Sequence, residues 1–125
     1  MGKKRILLVD DEIGFTNMMR LYLEKAGDYE VMIENDSSRA LGIVKKFNPD
    51  MIFLDVLMPQ KDGGEIAKEI RSEPAFKNIP IVFMTAIADS SQSTAKGGTI
   101  GGYQFLPKPI SGSQVLSCIK ENIGI

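Results

Sequence analysis

"ILLVDDE", Ile6 to Glu12, runs four apolar residues straight into three carboxylates. A short, wholly apolar run is the mark of a strand buried on both faces, as in a parallel sheet covered by helices. The acids then stand where that strand surfaces. Two carboxylates about 4 Å apart repel by roughly 4 kcal/mol at an effective dielectric of 20. Water, a cation, or a helix start that uses one acid as a cap must offset that cost.

The pattern repeats along the chain. "RILLV" reads as the first strand, "YEVMI" as a second near a sheet edge, and "MIFLD" as a third that again ends in an acid. Pro80 precedes "IVFMT", a fourth strand, and "YQFLP" reads as a short fifth. Between them lie helical spacings. Phe15, Met18, Met19, Tyr22, Leu23 and Ala26 mark a first helix that stops at Gly27. Ala40, Leu41, Val44 and Phe47 mark a second behind Ser and Asp caps, and Ile66, Ala67 and Ile70 a third. Ser111 and Gln114 form a capping-box pattern that opens a last helix carrying Val115, Leu116 and Ile119. Strands alternating with helices predict an α/β, doubly wound, five-stranded parallel sheet with helices on both faces. With strand order 2-1-3-4-5, ligands bind where strands one and three end, and those ends carry Asp10, Asp11 and Asp55. One stretch fits poorly. "DSSQSTAKGGTIGG", 89–102, falls where a fourth helix and its exit belong, yet it holds four glycines. Each mid-helix Gly costs roughly 1 kcal/mol against Ala, so a short, frayed or displaced helix is expected there.

Composition narrows the function. The 125 residues suit one domain, 43% of them are hydrophobic, and the net charge of −1 offers no electrostatic argument for nucleic acid or an anionic membrane. The single Cys118 cannot form an internal disulfide and belongs on the buried face of the last helix. No apolar run approaches a membrane span, and the basic start before Ile6 leads into too short a run for a signal peptide. A soluble cytoplasmic protein is the expectation. The absence of histidine excludes His-based acid–base catalysis, His metal ligands and a phosphohistidine on this chain.

Asp10, Asp11 and Asp55 offer hard oxygen ligands suited to Mg²⁺; the plainer alternative is that Asp10, Asp11 or Glu12 caps the next helix. Thr85 ends strand four, and Lys108 follows strand five between Pro107 and Pro109, where the Lys108–Pro109 bond is a candidate for cis. Separately, Thr85 reads as a β-former or cap and Lys108 as a surface lysine. On one sheet edge, a hydroxyl and an ammonium can each hold a phosphoryl oxygen.

"LLVDDE", "MIFLDVLMPQKDGG", "PIVFMTA" and "FLPKP", in that order, resemble the receiver domain of a two-component response regulator, in its stand-alone, single-domain form. The resemblance implies the flavodoxin-like strand order and one receiver domain over 1–125 without an effector domain. It implies that Asp55 takes a phosphoryl group from the phosphohistidine of a sensor histidine kinase or phosphotransfer protein. Asp11 would then bind Mg²⁺ directly, Asp10 mainly through water, and the Leu57 carbonyl would be a further ligand. Thr85 and Lys108 would hold phosphoryl oxygens, and Phe105 matches the aromatic that rotates inward when the Thr hydroxyl moves. The output would be a switched protein surface, with self-phosphorylation and slow self-dephosphorylation rather than enzymatic turnover.

Departures from the family pattern are the Gly-rich 89–102 stretch, Tyr103 and Gln104 where acids are frequent, and apolar Leu57 and Ile87. These last two stand two residues after Asp55 and Thr85. They cannot orient an attacking water, so slow loss of phosphate is expected. Three rivals remain. A Mg²⁺-dependent phosphohydrolase would want a second Asp two residues after its nucleophile, where Leu57 stands. A nucleotide or flavin binder would need a glycine motif that "GGTIGG" does not spell. A phosphorylation-independent interaction module of the same fold would have no use for the intact acids.

Overall fold

The computed structural model describes residues 2–86, 98–100 and 103–124. Five parallel strands form the body of the sheet: β1 (Lys4–Val9), β2 (Tyr29–Glu34), β3 (Met51–Asp55), β4 (Ile81–Thr85) and, after one further strand, β6 (Tyr103–Pro107). Their spatial order, β2-β1-β3-β4-β6, is the expected 2-1-3-4-5 counted over the parallel strands. β2 stands at one edge, as its alternating sequence implies. At the other edge lies a strand that sequence reading missed. β5 (Gly98–Ile100) runs antiparallel to β6, pairing Gly98 with Phe105 and Ile100 with Tyr103. The exit of the supposed fourth helix is therefore strand; the rest of that stretch, and Ile87, lie outside the described residues.

Alternate residues of each strand feed two cores, as the period of two requires. Ile6, Leu8, Phe53, Val82, Met84 and Leu106 pack under α1 (Ile13–Ala26) and α4 (Gly112–Ile123). Leu7, Val9, Ile52, Leu54, Phe83 and Phe105 pack under α2 (Ala40–Phe47) and α3 (Gly63–Ser72). Burying each such side chain stabilises the fold by about 1.5–3 kcal/mol.

The helices begin as their caps dictate. Asp62 and Glu65 close a capping box on α3, and Ser111 and Gln114 close the expected one on α4. The inward face of α1 is narrower than its spacing suggested. Thr16, Met19 and Leu23 are buried and Phe15 is half-buried, while Met18, Tyr22 and Ala26 are exposed. The helix lies on the sheet along a single stripe, and the flanking apolar residues fall outside it. Gly27 ends the helix in extended backbone rather than in the left-handed region. Cys118 is buried on α4, and burial pushes its thiol up to about 11.

Candidate functional site

Register brings the acids together. Val9 pairs with Leu54, so Asp10 and Asp55 leave neighbouring strands side by side. Thr85 pairs with Pro107, and the Lys108 backbone N–H donates to the Thr85 carbonyl at 2.8 Å. The expected residues Asp10, Asp11, Asp55, Thr85 and Lys108 thus meet on one carboxyl edge. Asp10, Asp55 and Thr85 are buried. Carboxylate oxygens of Asp10, Asp11 and Asp55 lie within 4.8 Å of one another, a hard-oxygen set that fits Mg²⁺. Leu57 is 56% exposed at the rim.

The capping alternative fails on geometry. Glu12 is the N-cap residue of α1, but its side chain makes no cap hydrogen bond. The Asp10 Oδ1 atom accepts instead from the Glu12 N–H at 2.9 Å, within the turn. Lys108 is the cation at the centre. Its Nζ donates to Asp10 Oδ2 at 2.8 Å and to Glu12 Oε1 at 2.6 Å, and stands 3.6 Å from Asp55 Oδ1. The ammonium also lies 5.2 Å from the centre of the Phe15 ring. The Lys108–Pro109 bond is cis.

Charge and burial shift the titrations. Burial first, and then the Asp10 charge, raise the Asp55 carboxyl to about 6 against the opposing charge of Lys108. Burial also raises Asp10, against the Lys108 hydrogen bond and that of the Glu12 N–H. For Lys108, burial disfavours the ammonium, but hydrogen bonds to Asp10 and Glu12 outweigh it and hold the pKa above its usual value. An ionised Asp55 among these neighbours is thus costly without a further cation.

Several positioning residues escaped the sequence reading. Asn35 donates through Nδ2 to the Asp10 carbonyl at 2.7 Å and to Thr16 Oγ1 at 3.1 Å, which ties the β1–α1 turn to β2. Ser37 donates to the Pro59 carbonyl at 2.6 Å and accepts from the Lys61 N–H at 3.1 Å, pinning the loop after Asp55. Gln60 within that loop has φ 64, a left-handed conformation. Gly63 brings the start of α3 against the Asp55 backbone, where an added Cβ would lie 2.5 Å from the Asp55 carbonyl oxygen. Phe105, the expected rotating aromatic, is buried in the core beneath α3 in this structure.

Comparison with known proteins decides the family. The response regulator receiver domain model matches residues 6–120. The chain belongs to the response regulator receiver family. This receiver is 34% identical over 120 residues to a probable transcriptional regulator, ycf27, of Cyanophora paradoxa, covering 96% of this chain and 48% of that one. It is 30% identical to the response regulator Rre1 of Synechocystis, covering 93% and 50%. The receiver therefore spans about half the length of the curated relatives it matches. Among solved structures, it resembles the chemotaxis protein CheY4 of Vibrio cholerae, with TM-score 0.83, 29% identity and coverage of 98% and 100%. It also resembles a putative response regulator of Chloroflexus aurantiacus, with TM-score 0.78, 32% identity and coverage of 95% and 96%. Receiver domains are phosphoacceptor signalling modules of two-component systems, and they interact with histidine kinases or phosphotransfer proteins. Among the described residues, no helix is long and apolar enough to cross a membrane.

Proposed function

We propose that Asp55 is the phosphoacceptor of this receiver. The observation that carries the reading is the Lys108 ammonium, paired with buried Asp10 and 3.6 Å from Asp55 on the shared sheet edge. An Asp55 carboxylate oxygen attacks the phosphorus of a phosphohistidine; the P–N bond breaks, and its electron pair leaves with the imidazole, which takes up a proton. The product is an acyl phosphate on Asp55. Asp11 and Asp55 would bind Mg²⁺ directly, Asp10 mainly through water, with the Leu57 carbonyl as a further ligand. Bound there, the ion neutralises charge on the phosphoryl oxygens. Lys108 and Thr85 each hold one of those oxygens, Lys108 by charge and Thr85 by its hydroxyl.

The added negative charge then biases a protein-binding surface, with Thr85 and Phe105 as the coupled switch. The chemistry is self-phosphorylation and slow self-dephosphorylation, not turnover of a substrate. A cytoplasmic location, a histidine kinase or phosphotransfer protein as donor, and no nucleic-acid or membrane partner complete the reading.

Intact mass after incubation with acetyl phosphate and Mg²⁺ tests it. One phosphoryl group is expected on the native chain and none on Asp55→Asn. No addition to the native chain despite Mg²⁺ binding would overturn the reading in favour of a phosphorylation-independent module.

A further inference from the structure

Lys108 Nζ has three N–H donors and three carboxylates around it. Their environments differ. Asp10 is fully buried, and releasing it would leave a carboxylate unpaired in the interior. Asp55 is buried but stands beyond hydrogen-bond distance at 3.6 Å. Glu12 makes the shortest contact, 2.6 Å, yet its side chain is 61% exposed and can return to water. The Glu12 side chain does not cap α1, so helix initiation does not account for where it points.

We propose that Glu12 is a placeholder for the phosphoryl oxygen: its carboxylate holds Lys108 Nζ in the resting receiver and is displaced when a phosphoryl group occupies Asp55. This rests on Asp55 being the acceptor. Lys108 moves toward Asp55 by giving up its exposed partner and keeping its buried one. The Phe15 ring beneath the ammonium stays available to guide it through the exchange. Glu12 is then a positioning residue that sets how readily the site accepts an anion.

The test is beryllofluoride binding at saturating Mg²⁺, followed by ¹⁹F NMR, on the native chain, Glu12→Gln and Glu12→Asp. Glu12→Gln removes the charge and leaves Nζ only a neutral amide oxygen, a much weaker partner. Glu12→Asp keeps the charge but shortens the arm by one methylene, taking the carboxylate out of hydrogen-bond reach of Nζ. Both variants are expected to bind about threefold to fivefold tighter than the native chain, the size of an exposed ion-pair contact. Their ligand-free melting points should change little, so a structural role would not produce this result. Tighter binding by Glu12→Gln alone would overturn the proposal, since charge rather than contact would be responsible. Unchanged binding by both would also overturn it. If the native chain itself binds no beryllofluoride while binding Mg²⁺, the assignment of Asp55 fails, and the placeholder fails with it.

Discussion

The two ends of the sheet were built under different constraints. At the carboxyl ends of β1 and β3, the backbone is tied to specific partners. Asn35 holds the Asp10 carbonyl, Ser37 holds Pro59, and Gly63 lets α3 close against Asp55. At the β6–β5 edge, a polar side-chain contact lies at the surface. Gln104 is exposed and accepts from Asn122 Nδ2 at 3.0 Å, and β5 is three residues long. The first region holds like charges at close range, and among the described residues the second holds none. Holding like charges together requires rigid neighbours, because any relaxation would let the carboxylates separate into water.

If that contrast is real, substitutions should cost most at the first region. Lys108→Ala should have the largest effect. It leaves Asp10 and Asp55 buried without their cation, so a loss of about 3 kcal/mol in urea unfolding is expected, together with loss of phosphoryl incorporation. Gly63→Ala comes next, because its new Cβ meets backbone rather than a flexible side chain. A loss of about 1–3 kcal/mol is expected, the usual range for overpacking.

Asp55→Asn works in the opposite direction. The Asp55 carboxyl titrates at about 6 in the fold and near 3.9 when unfolded, so its ionised form opposes folding. In chelator-treated buffer, the variant should be more stable than the native chain by up to about 3 kcal/mol above pH 6. That advantage should shrink as pH falls from 6 toward 4, where the native carboxyl becomes protonated in both states. A constant difference across this window in paired thermal melts would show that Asp55 carries no folding cost. At the far edge, Gln104→Ala should cost less than about 1 kcal/mol, the worth of one exposed hydrogen bond. A cost matching Gly63→Ala would erase the contrast.

How legible each region was follows from the same physics. β3, β4 and β6 match their sequence readings residue for residue, because apolar runs bounded by acids, prolines and glycines admit no other register. The acids, Thr85 and Lys108 were legible because each ends or follows such a strand. β5 was not, since a three-residue strand that begins on Gly98 and leaves only Thr99 and Ile100 between glycine pairs carries no periodicity. The Glu12–Lys108 pair spans 96 residues of sequence and exists only once the fold is made. Met18 and Tyr22 of α1 misled because helical spacing fixes a stripe's direction but not its width.

The most direct measurement of the acceptor's identity is chemical mapping. The chain is phosphorylated with acetyl phosphate and Mg²⁺, and the acyl phosphate is reduced with borohydride, which converts the modified aspartate to homoserine. Tandem mass spectrometry then locates the change. Homoserine at position 55 alone is the expected result. Homoserine at 10 or 11, or modification that persists in Asp55→Asn, would contradict the assignment of Asp55 as the phosphoacceptor.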